Sequence, residues 1–261
     1  MIKVSDKQWR AFAQSQEHEQ FETEMVTHLR GFVPRFAETL REEGLRSCIR
    51  YGIERARVYG VTNSGLLRFY IELMFLFGGL FDTDPLYPWA GQILRDPRIV
   101  DEATRVDRLY VATLTYLDAT GGSGREVALR ILRRLKRTLS EGPMATRPSG
   151  SPQELFDALV FIHPERCSYL GELALRRHLA RAHEVAVEQE VATHMGIEVV
   201  TILMFAIGHG FMEDPTFSWI GGRLRRASFA DASQRALYLR RRTEVYVNQA
   251  IEHFQESADV P

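Results

Sequence analysis

Apolar residues recur every three or four positions along most of this chain, which is the spacing of one face of an α-helix. Two clear stripes are Leu45, Cys48, Ile49, Ile53 and Ala56, and Ile99, Ala103, Val106, Leu109 or Tyr110, Thr113 and Leu117. Another helix is predicted to begin after Thr62 or Asn63, either of which can cap its first turn, and to run to about Phe81. No alternating apolar and polar run bounded by Asn-Gly or Asp-Gly turns occurs in the sequence, so the predicted fold class is all-α.

The sequence also repeats itself at a distance of 130 residues. The same offset, without a gap, relates Pro34 to Pro164 and Tyr116 to Tyr246. The matching residues are densest in one segment. There the offset pairs Leu73-Met74-Phe75 with Leu203-Met204-Phe205, Asp84-Pro85 with Asp214-Pro215, and Trp89 with Trp219. We therefore predict two tandem copies of one multi-helix unit, arranged as a pseudo-twofold helical bundle. The predicted parts are a first repeat over 1–122, a basic connecting helix and Pro/Gly linker over 123–150, and a second repeat over 151–261.

Composition narrows the classes of function. The chain has 261 residues, with 33 Lys and Arg against 34 Asp and Glu, and a formal net charge of −1. This balance argues against nucleic-acid binding through bulk electrostatics. Two cysteines, Cys48 and Cys167, are too few for a secreted disulfide scaffold, so a reducing, cytoplasmic location is expected.

No targeting or membrane segment is predicted. Residues 1–10 are polar and lack the apolar core of a signal peptide. The most apolar stretches, 69–81 and 197–211, are shorter than the roughly 20 residues that span a bilayer. Both are predicted to be buried core helices.

The most distinctive local pattern is D-P-x-x-x-W, which occurs at Asp84, Pro85 and Trp89 and again at Asp214, Pro215 and Trp219. An aspartate can cap a helix whose first residue is proline, and the tryptophan would then pack back against the preceding apolar helix. A structural corner is the favoured interpretation. A ligand site at Asp84 and Trp89 is the alternative.

Arginine-rich helix faces are candidates for binding a protein partner. The connecting helix carries an apolar stripe, so a helix packed on the body with its basic face in solvent is the favoured interpretation, and an acidic partner surface is the alternative. The candidate partner-binding residues are Arg125, Arg130, Arg133, Arg134, Arg137, Arg225, Arg226, Arg240, Arg241 and Arg242.

No catalytic, cofactor or metal site is predicted. His178, His183, His194 and His209 all lie in the second repeat, but no H-E-x-x-H, Glu-x-x-His pair or cysteine–histidine zinc pattern accompanies them. Cys167 is expected to be a small apolar filler in the first turn of a helix. The chain contains neither a G-x-S-x-G elbow nor a Walker motif.

Several segments together resemble a known family. They are Val33-Pro34-Arg35-Phe36, Arg57-Val58-Tyr59-Gly60, residues 73–90, and Ile93-Leu94-Arg95-Asp96-Pro97. Their spacing resembles a family of small bacterial helical proteins associated with type VI secretion gene clusters, near spike, PAAR and effector-chaperone genes. The second repeat departs from the pattern at Met212-Glu213 and Ser218. The resemblance implies a helper role and brings no catalytic residues with it.

The sequence thus predicts a non-enzymatic adaptor or chaperone-like protein. Its partner would be an effector, a spike or PAAR component, or a toxin. An immunity protein that neutralises a cognate toxin is one alternative. A helical enzyme that binds a metal or cofactor through the second-repeat histidines is another.

Overall fold

The computed structural model describes residues 6–122, 124–141, 151–226 and 229–256; for 6–16, 141, 223, 225, 226 and 256 it describes the backbone alone. Regular structure in these ranges consists of α-helices and one short 3-10 helix, without a strand, which confirms the all-α prediction. Most of the predicted Pro/Gly linker, residues 142–150, lies outside the described residues. So does Ser123, the first residue of the predicted connecting segment.

Eleven α-helices occur in the described ranges, and we number them in chain order. They are α1 (Asp6–Phe32), α2 (Pro34–Arg57), α3 (Ser64–Phe77), α4 (Pro88–Arg95), α5 (Glu102–Ala119), α6 (Arg125–Glu141), α7 (Pro152–Ile162), α8 (Pro164–Glu188), α9 (His194–Ile207), α10 (Ser218–Arg226) and α11 (Ala232–Glu256). The 3-10 helix, Pro215–Phe217, precedes α10.

Side-chain caps fix where several helices begin. The Asn63 side chain accepts hydrogen bonds from the first amides of α3, as predicted, and Asp101 and Thr193 do the same for α5 and α9. Ser151 and Glu154 form a capping box at the start of α7. The predicted end of α3 at Phe81 was wrong: the helix ends at Phe77, because Gly78 adopts φ +99° and turns the chain away.

Two apolar cores hold the molecule together. The first includes Leu29, Ile49 and Tyr70 and is built from α1–α5; the second includes Leu203 and is built mainly from α6–α11. Leu86, which lies between α3 and α4, belongs to the second core. The two cores are therefore joined by residues that cross from one half to the other, and burial of these apolar side chains is the main stabilising term. No described helix is both long and apolar enough to cross a membrane.

Residues 130 apart adopt matching backbone conformations at several points. The helices α3 and α9 each have 14 residues, and both their ends lie 130 apart. Both α2 and α8 begin at a proline, and each is interrupted once by a residue with positive φ, at Arg41 and Gly171. The turn residues Gly78 and Gly208 have φ of +99° and +95°.

Candidate functional site

A crossed pair of aspartates joins the loops that follow α3 and α9. The Asp214 carboxylate accepts a hydrogen bond from the amide of Gly79 at 2.7 Å, and the Asp84 carboxylate accepts one from the amide of His209 at 2.9 Å. Positions 79 and 209 are themselves 130 apart. Each loop thus supplies a carboxylate to the other, and both carboxylates are buried.

The two loops also approach each other through their backbones. A Cβ atom at Gly78 would overlap the carbonyl oxygen of Ile207, and one at Gly208 would lie 3.0 Å from the carbonyl oxygen of Phe77. Both glycines also need positive φ, which a side chain disfavours. Glycine is therefore required at both of these positions, Gly78 and Gly208. We call this contact between the loops that follow α3 and α9 the seam.

The D-P-x-x-x-W segments differ in part from the prediction. Asp84 caps a turn, accepting from the Leu86 amide at 2.8 Å, and the helix that follows begins only at Pro88. Asp214 does cap a helix that starts at proline, but this is the 3-10 helix that precedes α10. After both segments the α-helix begins three residues beyond the proline, at Pro88 and at Ser218.

The tryptophan of each D-P-x-x-x-W segment packs against aromatic neighbours. Trp89 lies edge-on to Phe77 at the end of α3, at 5.8 Å between ring centroids, and so does contact the preceding helix. Trp219 instead stacks on Tyr246 of α11 at 5.5 Å. Arg242, a candidate partner-binding residue, lies over the Trp219 ring at 5.4 Å.

Sequence analysis missed a buried arginine beside the seam. Arg166, in the first turn of α8, is 6% exposed. Its guanidinium lies over the rings of Phe205 (4.5 Å) and Tyr87 (5.0 Å) and donates to the Tyr87 hydroxyl at 2.8 Å. It also donates to the carbonyl oxygen of Phe205. The partners in these contacts are uncharged, so cation–π attraction and two hydrogen bonds stabilise the buried charge.

The residue 130 positions before Arg166 is Phe36, which occupies a similar aromatic environment. Phe36 packs between Phe75 (5.7 Å) and Phe217 (6.2 Å). These two rings correspond by the same offset to Phe205 and Tyr87, the rings around Arg166. A comparison of positions 130 apart places Arg166 among four pairs that set an aromatic residue against a charge; the others are Tyr51 and Arg181, Arg108 and Tyr238, and Tyr110 and Arg240.

A second buried polar cluster occurs only in the first half. Asp82 is buried and accepts from Arg55 and from the Tyr59 hydroxyl, each at 2.6 Å. Burial, together with Asp82, raises the pKa of Tyr59 to about 12. The corresponding residues of the second half are Val185, Gln189 and Met212. One carboxylate oxygen of Asp82 is thus engaged by Arg55 and Tyr59.

The structure gives the predicted arginines different roles. Arg125 donates to the carbonyl oxygens of Phe254 and Gln255 at the end of α11, and Arg130 pairs with Glu165 at 3.1 Å. Arg134 and Arg137 lie over the ring of Phe161, and Arg240 donates to the carbonyl oxygen of Leu139 and pairs with Glu244. Arg133, Arg241 and Arg242 are exposed, whereas the side chains of Arg225 and Arg226 lie outside the described residues.

Neither the histidines nor the cysteines come together. His178 is buried, with Nε2 3.1 Å from the carbonyl oxygen of Thr201, and burial lowers its pKa to about 4. Nδ1 of His209 lies 3.2 Å from Asp84 at the seam, while His183 and His194 are exposed. The described residues contain no group of three or more histidine, cysteine or acidic side chains placed to hold a metal ion.

Both thiols are buried, as expected for Cys167. Burial raises the pKa of Cys48 to about 12 and that of Cys167 to about 11. The thiolate is the reactive form of cysteine, so neither residue is activated as a nucleophile at neutral pH.

Glu198 is buried on α9, which packs against α11. It is 6% exposed, and one of its oxygens has no hydrogen-bond partner among the described residues. Burial raises its pKa to about 7, although the charge of Arg240 opposes the shift.

This shift predicts a pH dependence of stability. An acid with a raised pKa binds its proton more tightly in the folded state, so the contribution of Glu198 to the free energy of unfolding should fall as the pH rises from about 4.5 to 7. Burial lowers the pKa of His163 and that of His178 to about 4, and these two groups act in the opposite direction, so the contribution of Glu198 is read from the difference between the variant and the wild type. Glu198→Gln should remove this component and stabilise the protein at pH 8 by roughly 2 kcal/mol. Urea unfolding at pH 5 and pH 8 measures both effects. Glu54→Gln, at an exposed position, is the control; an unchanged pH dependence in Glu198→Gln would disprove the assignment.

One apolar surface stands out on the exterior. Tyr110 (53% exposed), Val111 (60%) and Leu114 (43%) line α5, and Leu76 lies exposed on α3. The Phe69 ring of α3 lies 6.1 Å from that of Tyr110. We call these five residues the α3–α5 face. Clustered exposed apolar side chains of this kind mark interaction sites.

Comparison with known protein families, curated proteins and solved structures finds no significant match to this chain.

Proposed function

We propose that the protein is a non-enzymatic, cytoplasmic binding protein that holds a protein partner at the α3–α5 face. The observation that carries this proposal is the exposure of neighbouring large apolar side chains on α3 and α5, which costs solvation free energy unless a partner covers them. Aromatic and aliphatic side chains in such a cluster are the usual source of affinity in protein interfaces.

The exposed arginines would contribute to the rate and specificity of binding. Arg133 of α6 and Arg241 of α11 are exposed, and these two helices pack against each other. Exposed charges mainly steer association and select the partner, whereas desolvated apolar contacts supply most of the binding energy. An acidic surface on the partner fits this arrangement.

The resemblance to helical proteins of type VI secretion loci supplies the biological setting of the proposal. In that setting the partner is an effector, a spike component or a PAAR component, and the protein acts as an adaptor or chaperone. The exposed binding surface suits that role because a helper must hold and then release its cargo.

The test is co-purification of the tagged full chain with the products of its neighbouring genes. We expect one product to be captured by the wild type and by Val187→Asp, an exposed control position on α8, but not by Leu114→Asp. Equal capture by all three chains would refute binding through the α3–α5 face.

An immunity protein would use the same exposed surface, with a toxin as its partner. Rescue of toxin-expressing cells by this chain alone, lost in Leu114→Asp, would favour immunity over delivery. Capture of a partner without rescue would favour the adaptor role.

The tandem duplication and its pseudo-twofold arrangement belong to the same proposal. They are supported by the equal helix lengths at an offset of 130, the exchanged hydrogen bonds of Asp84 and Asp214, and the matched surroundings of Phe36 and Arg166. After duplication, one copy can preserve the fold while the surface of the other diverges. The α3–α5 face lies in the first half alone.

A further inference from the structure

A buried carboxylate between α3 and α4 has a hydrogen-bond partner on only one of its two oxygens. Asp82 is 1% exposed, and its Oδ2 atom accepts from the guanidinium of Arg55 and from the hydroxyl of Tyr59. No residue in the described ranges donates a hydrogen bond to the other oxygen, Oδ1. Burial of a carboxylate oxygen without a donor is strongly unfavourable, so a further donor is expected at this atom.

Two more unpaired polar atoms lie beside this carboxylate. The Tyr70 hydroxyl on α3 is fully buried, and neither it nor Nε of Arg55 has a hydrogen-bond partner among the described residues. The Tyr70 ring packs on Tyr59 (6.4 Å between centroids) and on Phe81 (5.0 Å), the residue that precedes Asp82. Burial raises the pKa of Tyr70, and the charge of Asp82 raises it further. The hydroxyl therefore lies close to the carboxylate.

The residues that carry these three atoms have apolar counterparts 130 positions later in the chain. The counterparts are Val185, Val200 and Met212. All three are buried and belong to the second core. The first half thus keeps polar atoms at places where apolar side chains complete a core of the same kind. Since buried polar groups without partners are unfavourable, this difference points to a bound molecule that pairs with them.

The charges and hydrogen-bonding roles of the three atoms define what can bind. The carboxylate of Asp82 repels an anion, and the guanidinium of Arg55 repels a cation. Oδ1 of Asp82 needs a donor, whereas Nε of Arg55 needs an acceptor, so the bound molecule must be neutral and must both donate and accept. The Tyr70 hydroxyl can take either role. Water meets these requirements in the smallest volume, and a buried water typically makes about three hydrogen bonds.

We propose that Asp82, Tyr70 and Arg55 bind one internal water molecule. The water donates to Oδ1 of Asp82, accepts from Nε of Arg55 and shares a third hydrogen bond with the Tyr70 hydroxyl. Because Arg55 lies on α2, Tyr70 on α3 and Asp82 in the segment between α3 and α4, the water joins three parts of the first half. This site is independent of the α3–α5 face and of the proposed binding function.

A crystal structure of the full chain, at a resolution that shows ordered water, tests the proposal directly. We expect one density peak at hydrogen-bond distance, roughly 2.6–3.2 Å, from Oδ1 of Asp82, the Tyr70 hydroxyl and Nε of Arg55. A direct hydrogen bond from the Tyr70 hydroxyl to Asp82, with no peak between them, would overturn the proposal. Density larger than one water would overturn it too, because the occupant would then be a larger ligand. An anomalous peak at the site after a bromide soak would identify an anion instead and would also overturn it.

Magnetic relaxation dispersion of the solvent signal provides a second test, since it counts long-lived internal waters in solution. A triple variant replaces each partner with its counterpart: Arg55→Val, Tyr70→Val and Asp82→Met. A matched control carries the same substitutions at exposed positions: Arg57→Val, Tyr110→Val and Asp107→Met. We expect the triple variant to lose one long-lived water and the control to keep it.

Equal numbers of long-lived waters in the two folded variants would contradict the proposal. Circular dichroism establishes that both variants are folded. If the triple variant does not fold, the crystal structure of the wild type decides the question alone.

Discussion

Replacing Asp214 with alanine is expected to lower the free energy of unfolding by about 3 kcal/mol. Its carboxylate accepts from the amide of Gly79 at 2.7 Å and from the amide of Thr216 at 2.8 Å, and the residue is buried. Alanine would leave two buried amides without a partner, and each such loss costs about 1–3 kcal/mol. Because one of these amides belongs to the other half of the molecule, the loss also loosens the contact between the halves.

Replacing each of the two aspartates with asparagine should change the stability of the protein by different amounts. Burial raises the pKa of Asp214 overall. At Asp84 burial acts in the same direction, but the hydrogen bond and charge of His209 outweigh it and lower the pKa. The neutral amide should therefore be tolerated better in Asp214→Asn than in Asp84→Asn.

Urea unfolding of the single and double variants at pH 7 measures these effects. Asp157→Ala, at an exposed position on α7, is the control and should change stability by less than about 0.5 kcal/mol. The alanine variants of Asp84 and Asp214 should show coupling in a double-mutant cycle, because both act on the same pair of loops. A cost below about 1 kcal/mol for Asp214→Ala would mean that the crossed hydrogen bonds contribute little.

Arg166→Ala is expected to destabilise the protein by roughly 3 kcal/mol, through lost packing against Phe205 and Tyr87 and an unpaired carbonyl oxygen at Phe205. Arg166→Phe should cost less than Arg166→Ala, about 1–2 kcal/mol, because the ring restores the packing although the carbonyl oxygen of Phe205 still loses its hydrogen bond. Phenylalanine already occupies the corresponding place at Phe36, between Phe75 and Phe217. Replacing a buried charge with an apolar side chain of similar size is often neutral or stabilising.

The reverse substitution provides the matched control. Phe36→Arg should be strongly destabilising, because the ring that corresponds to Tyr87 there is Phe217, which has no hydroxyl to accept a hydrogen bond. Thermal unfolding of Arg166→Ala, Arg166→Phe and Phe36→Arg gives the order of stabilities. If Arg166→Phe destabilised the protein as much as Arg166→Ala, the packing around positions 36 and 166 would not be equivalent. The correspondence between Arg166 and Phe36 would then be wrong.

Local patterns predicted much of the secondary structure, since helix caps and apolar stripes act over a few residues. The cap at Asn63 and the helix that begins at Pro164 were found in this way. The end of α3 was not, because the residues after Gly78 remain apolar: Phe81 is buried in a turn that packs on the first core. Apolar character marks burial, and burial alone does not distinguish a helix from a turn.

The candidate sites were harder to predict than the helices. Arginine is usually exposed on a helix, so nothing local distinguishes the buried Arg166 from the exposed Arg133. Several of the predicted partner-binding arginines instead contact the fold itself, as Arg125 and Arg240 do at the ends of α11 and α6. The α3–α5 face escaped notice because Tyr110 and Leu114 fit the apolar stripe of α5 as well as any core residue.

By itself the sequence predicted the all-helical class, which the structure confirms, because apolar spacings along the chain need no knowledge of distant contacts. The tandem repeat at an offset of 130 is a prediction of the same kind. Only the tertiary structure decided which apolar stripes are covered. It buries Val199 in the second core and leaves Tyr110 exposed on α5. The physical reason is that burial depends on whether another helix lies across a surface, and the residues of that surface do not encode its neighbour.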